Sequence, residues 1–181
     1  MLLGCGLLVG GRELPYVNWR RLAPPLAHQP LVLRHDAKGD GRFQAPRSGN
    51  RRHRGVDIVG TLNSPVRAVR SGRVVEAKFH RGLGQYVEIQ HDAHLRTLYA
   101  HLNERSVAVG DRVTQGAVIG TLGKTGNARS SLITPHVHFE VLRDGKPVDP
   151  QTLGLHVIAP AGTGEASGDE LSEDEDDGAG N

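Results

Sequence analysis

Two histidines stand two residues apart in Thr134-Pro135-His136-Val137-His138-Phe139-Glu140-Val141. The stretch alternates polar and apolar residues, the pattern of a β-strand with one buried face. Residues two apart on a strand share a face. His136, His138 and Glu140 therefore point one way, and Val137, Phe139 and Val141 the other. Paired imidazoles on a rigid strand suit metal binding or proton transfer. The plainer alternative is a partly exposed strand that happens to carry two histidines, and the rest of the chain has to discriminate.

A second stretch with chemical content is His53-Arg54-Gly55-Val56-Asp57-Ile58. Fully extended, His53 and Asp57 would lie about 13 Å apart at about 3.3 Å per residue, too far to share one small ion. A helix would bring positions i and i+4 together, but Gly55, the β-branched neighbours and Gly60 make a poor helix. A turn at Gly55 solves the geometry, because glycine accepts most backbone angles. By itself the pair is equally a surface loop with an incidental histidine. A third histidine, His101, closes the run Leu95-Arg96-Thr97-Leu98-Tyr99-Ala100-His101.

The elements that must position these groups read as strands. Val66–Val69, Arg73–Phe79, Gln85–Gln90 and Leu95–His101 are short apolar runs separated by turn signals at Ser71-Gly72, Gly82-Leu83-Gly84 and His91–His94. Such spacing predicts an antiparallel meander. Val109–Val113 and Val118–Gly123 predict a further hairpin, and Asp144-Gly145-Lys146 is a hairpin turn into Val148-Asp149-Pro150. With 24 glycines, 4% aromatics and no helical periodicity, the fold class is all-β. We expect mainly antiparallel sheet, a hybrid of barrel and sandwich, with long loops. Gly123-Lys124-Thr125 does not make a phosphate loop, because the earlier glycine of that motif and a following helix are both missing.

The 181 residues allow one ordinary domain with extensions. The net charge of +2 conceals an asymmetry. Eight of the 20 acidic residues lie between Glu165 and Asn181, where no basic residue occurs, so residues 1–164 carry 22 basic against 12 acidic residues. A basic body suits an anionic partner. No nucleic-acid motif or aromatic-basic interleaving is present, and no nucleic-acid partner is expected. The boundaries expected are a truncated signal or lipobox segment at 1–11, a proline-broken linker at 12–38, the domain at 39–156, and an acidic disordered tail at 157–181. Cys5 is the single cysteine, which excludes an intrachain disulfide. Leu2-Leu3-Gly4-Cys5 resembles a lipobox, so membrane anchoring through a lipidated Cys5 is an expectation; an apolar N-terminal strand is its alternative.

His53-x-x-x-Asp57, Tyr99-Ala100-His101-Leu102 and His136-x-His138, in that order, resemble the lysostaphin/LytM-type zinc endopeptidases that cut bacterial cell-wall peptides. Gly55-Val56-Asp57, Gly72-Arg73-Val74, Val109-Gly110-Asp111-Arg112-Val113 and His136-Val137-His138-Phe139-Glu140-Val141 carry the same resemblance, which covers roughly residues 39–150. It implies one zinc ion (Zn2+) held by His53, Asp57 and His138, with His101 and His136 as catalytic histidines. Two imidazoles and one carboxylate leave a fourth tetrahedral position open, as catalysis requires. It further implies peptidoglycan peptides as substrate, a monomer, and a place in the bacterial cell envelope (periplasm or outer membrane) or outside the cell. Glu140 shares the face of His138 but reads equally as an arginine partner and is left out of the site. The alternatives are a zinc-bearing cell-wall binding or regulatory module without turnover and a lipoyl-type carrier; the similar animal leukocyte-cell-derived chemotaxin is a binding protein that keeps the zinc ligands. The carrier would need a modifiable lysine at a hairpin tip, and Lys124 lacks the context.

Overall fold

The computed structural model describes residues 21–161. Within them β-branched and apolar runs form fifteen short strands, as their preference for a pleated, half-buried surface dictates. The first five are β1 (Leu31–Val32), β2 (His35–Asp36), β3 (Gly39–Asp40), β4 (Pro46–Arg47) and β5 (Arg51–Arg52). Next come β6 (Val56–Val59), β7 (Pro65–Arg67), β8 (Gly72–His80), β9 (Gly84–Gln90) and β10 (Leu95–Arg105). The last are β11 (Arg112–Val113), β12 (Val118–Leu122), β13 (His136–Arg143), β14 (Lys146–Val148) and β15 (Val157–Ile158). Among the described residues helix is confined to two single 3-10 turns, Gly126–Arg129 and Pro150–Leu153. The all-β, mainly antiparallel architecture expected from composition is the one observed.

One nine-stranded sheet carries the molecule, in the order β11-β8-β9-β10-β12-β7, with β13 joining it through β10 and carrying β14 and β6 beyond. The meander β8–β9–β10 forms as its turn signals predict. Asp144 and Gly145 both take positive φ, 51° and 74°, and close β13 onto β14, as a two-residue hairpin of right-handed twist requires. The expected hairpin between residues 109–113 and 118–123 does not form. β11 pairs β8, and β12 pairs β10 and β7. The apolar periodicity of both segments is satisfied by neighbours distant in sequence, which a local pattern does not encode.

β10 makes the fold fork. Its first half, Leu95–Ala100, runs between β9 and β13; its second half leaves β13 and pairs β12. The changeover contains register shifts on both sides of Leu102, and His101 within it has a left-handed φ of 62°. Bulges of this kind re-aim a side chain.

The core lies between the sheet faces, around Tyr99, Phe139, Ile58, Ile89, Leu102, Ile119 and Leu122, all fully buried. The rings of Tyr99 and Phe139 pack with centroids 5.3 Å apart. Residues 21–38, which read as linker, belong to this packed unit. Leu22, Leu26, Leu31 and Leu33 enter the core, and β1 pairs in parallel with β15. Packing thus continues on both sides of residues 39–156, from Leu22 before them to Val157 after them. Proline breaks the regular elements here without preventing burial. The lipobox segment, Cys5 and the acidic run from Glu165 lie outside the described residues.

Candidate metal centre

Sheet register brings the three motifs together. On β13, His138 pairs with Asp57 of β6 on one side and with Ala100 of β10 on the other, which places His101 beside it. A bend at Gly55 carries the chain from His53 into β6, so that His53 Nε2 lies 3.0 Å from Asp57 Oδ1. Gly55 is demanded by closeness: a Cβ there would overlap the Phe139 carbonyl oxygen. The alternative of a partly exposed strand does not hold for β13. Val137, Phe139 and Val141 enter the core, while His136, His138 and Glu140 are buried as well, among one another's polar atoms.

Every imidazole of the group has one nitrogen committed elsewhere. His53 Nδ1 donates to the Arg42 carbonyl at 2.8 Å, and His138 Nε2 donates to Glu140 Oε1 at 3.1 Å. Their other nitrogens, His53 Nε2 and His138 Nδ1, face each other at 3.0 Å, and His138 Nδ1 lies 2.8 Å from Asp57 Oδ1. Three atoms of metal-ligating type thus converge with mutual separations of 2.8–3.0 Å. Ligands held at 2.0–2.1 Å by a tetrahedral zinc ion stand about 3.3 Å apart. The residues fit that ion in number, chemistry and spacing, and the partners behind them are those that fix the tautomer of a ligating histidine.

His101 and His136 present the complementary arrangement. His101 Nδ1 donates to the Thr125 carbonyl at 2.9 Å, and His136 Nδ1 to the Thr134 carbonyl at 2.7 Å. In both, Nε2 is left without a proton; that of His136 lies 3.8 Å from Asp57 Oδ1. The rings of His101 and His136 meet edge to face, with centroids 5.1 Å apart. Burial, reinforced by the neighbouring His138 and His136, pushes His101 down to about 3. Burial likewise lowers His136. Both are neutral bases at physiological pH. His138 behaves oppositely. Burial disfavours its charge, but hydrogen bonds to Asp57 and Glu140 overcome that and raise it to about 9. Burial would raise Asp57 too, yet the imidazoles hydrogen-bonded to it hold it well below the carboxylate range.

All five histidine and aspartate positions singled out in the sequence stand in this one cluster. Glu140, set aside there, does two things at once: Oε1 accepts from His138, and Oε2 lies 3.5 Å from Arg54 Nε. Arg34 was not singled out, and Arg47 was read only as part of a basic loop, Arg42–Arg52, facing a wall polymer or solvent. Their guanidinium groups reach Asp57 Oδ2 at 3.0 Å and 3.4 Å, and Arg34 is only 5% exposed. The signal available was Arg34 at the end of the apolar run Leu31-Val32-Leu33, but a lone arginine after an apolar run is ordinarily a strand end in water.

The model of peptidase family M23 matches residues 51–150. The peptidoglycan DD-endopeptidase ShyC of Vibrio cholerae is 35% identical over 140 residues, 76% of this chain and 31% of ShyC. An NlpD/LppB lipoprotein homologue of Pseudomonas aeruginosa is 40% identical over 61% of this chain and 35% of that one. The chain thus spans about a third of the length of these curated relatives. Among solved structures, the catalytic domain of the antimicrobial peptidase lysostaphin from Staphylococcus simulans superposes with a TM-score of 0.53 and 31% identity, covering 65% of this chain and 90% of that domain. With the match spanning more than half of the sequence and containing every residue of the cluster, the chain belongs to peptidase family M23.

Proposed function

We propose that the protein is a zinc-dependent endopeptidase that hydrolyses peptide bonds of bacterial cell-wall peptidoglycan, in a cross-bridge or stem peptide. The observation that carries this is the convergence of His53 Nε2, Asp57 Oδ1 and His138 Nδ1 beside two neutral imidazoles with bare Nε2 atoms. His53, Asp57 and His138 would hold the zinc, which when bound would supply Lewis-acid polarisation of a carbonyl and lower the pKa of water towards neutral.

His101 and His136 move the proton. A bare Nε2 accepts it from the attacking water, and the resulting imidazolium returns it to the departing amine. Their Nδ1 atoms keep the protons that the Thr125 and Thr134 carbonyls accept, so each ring stays oriented through the cycle. The wall substrate is supported by the DD-endopeptidase named among the relatives. An envelope location is supported by the lipoprotein named among them, with Cys5 as the residue to be acylated. Incorporation of a fatty-acid analogue into the full-length product, lost in C5S, is the expected result of labelling.

The test of the activity is turnover of purified peptidoglycan with mass spectrometry of the fragments. Wild type should cleave, lose activity to a chelator and regain it with zinc. H136A should bind zinc and leave the wall intact. Zinc binding and wall retention without any fragment from wild type would replace the enzyme with a binding module.

A further inference from the structure

The Asp57 carboxylate is divided between two sets of partners. Oδ1 faces the imidazoles of His53, His138 and His136 at 3.0, 2.8 and 3.8 Å. Oδ2 is taken by Arg34, whose Nε and Nη2 reach it at 3.2 and 3.0 Å, with Arg47 Nη2 at 3.4 Å. A carboxylate oxygen bonded to a guanidinium fork is not free to swing toward an ion. The Arg34 backbone is fixed to the same residue, since its N–H donates to the Asp57 carbonyl at 2.8 Å.

Arg34 also reaches the other side of the site. Its Nη1 donates to Asp36 Oδ1 at 2.6 Å, and Asp36 Oδ2 accepts the Thr134 N–H at 2.9 Å. The Thr134 carbonyl in turn accepts from His136 Nδ1. Three charge-assisted hydrogen bonds therefore link the Asp57 carboxylate to Thr134, whose carbonyl holds the ring of His136 by a neutral one. Both intermediate side chains are buried or nearly so, with exposures of 6% for Arg34 and 11% for Asp36. Both precede residue 51, where the family match begins.

We propose that Arg34 and Asp36 are positioning residues of the metal centre. Arg34 presents Asp57 to zinc through a single oxygen, and Asp36 carries that hold to Thr134 and so to the orientation of His136. The inference rests on zinc being held by His53, Asp57 and His138. It makes the segment before β3 part of the active site rather than an approach to it.

The test uses the full chain as wild type, R34K, R34M and D36N. Zinc affinity is measured by competition with a chromophoric chelator, and coordination by the visible spectrum of the cobalt-substituted protein. R34M should weaken zinc by about 10–100-fold, the usual effect of removing an outer partner of a ligand, and should alter the cobalt spectrum as Asp57 gains freedom. R34K, which keeps the charge and loses the fork, should recover part of the affinity while retaining the altered spectrum. D36N should bind zinc as wild type does but lower kcat on peptidoglycan at unchanged KM. If R34M does not fold, R34K decides by its spectrum. Wild-type affinity and spectrum in both Arg34 variants would overturn the proposal, whatever their thermal stability. A wild type that binds no zinc would overturn the metal assignment and the proposal with it.

Discussion

Removing an imidazole from the cluster has two different expected outcomes, set by which nitrogen it presents. H53A and H138A delete a donor from the converging set and should abolish zinc retention after gel filtration. H101A and H136A leave that set whole. They should retain zinc while losing about 10²–10⁴-fold in turnover, the range for a lost proton-transfer group. Metal content and kcat measured on the same samples separate the pairs. Both pairs were legible as residues, since their types and order are local features of the chain. Arg34 was not, because what makes it special is its partner, Asp57, 23 positions away. Glu140 was half legible: its face followed from strand alternation, its bond to His138 only from burial.

At the scale of elements, the turn from β9 to β10 is held by a buried polar relay. The Val69 N–H donates to the Tyr99 hydroxyl at 2.9 Å, which lies 3.0 Å from Thr97 Oγ1. Thr97 Oγ1 lies 2.7 Å from His91 Nε2, and His91 Nδ1 lies 3.0 Å from the Ser71 carbonyl. A main-chain donor at one end and a main-chain acceptor at the other suit a neutral ring between them. Burial pushes His91 down to about 4, from an ordinary 6.5. Above pH 6.5 neither folded nor unfolded His91 is protonated, and nothing is lost. Between 6.5 and 4 the unfolded chain takes up a proton that the folded one refuses, so stability falls with pH. The loss amounts to about 3 kcal/mol by pH 4. H91Q removes the group, so urea unfolding at pH 7 and pH 4 should show a smaller pH-dependent loss in the variant than in wild type. Equal losses in the two proteins would show that His91 titrates normally. The meander that this relay braces was readable from alternation and turn residues; the partners of β11 and β12 were not, since two-residue and five-residue strands carry too little pattern to name a distant neighbour.

For the whole molecule, the question is where the folding unit begins. Leu22, Leu26, Leu31 and Leu33 are each at least 93% buried, and a buried leucine contributes roughly 1.5–3 kcal/mol. Four of them rival the entire marginal stability of a domain, about 5–15 kcal/mol. β1 also covers β15, so both ends of the packed unit depend on each other. A chain begun at Gly39 should therefore give a product with lost near-ultraviolet dichroism and exposed apolar surface that binds a hydrophobic dye, whereas one begun at Arg21 should unfold cooperatively. A cooperative transition from both would return the segment to the status of a linker. Composition and turn spacing announced the all-β class, but the burial of residues 22–33 did not show, because prolines at 24, 25 and 30 look alike whether the chain between them is solvated or packed.

The Phe139 carbonyl pressed against Gly55 has a hereditary consequence. Glycine is encoded by GGN, and any missense change at its first or second base installs a residue with a Cβ. Every such change meets main chain of β13 rather than a side chain able to turn aside. Codon 55 is thus free to drift only at its third base. The spacing of His53 and Asp57 is guarded by steric exclusion before selection on the chemistry has anything to act upon.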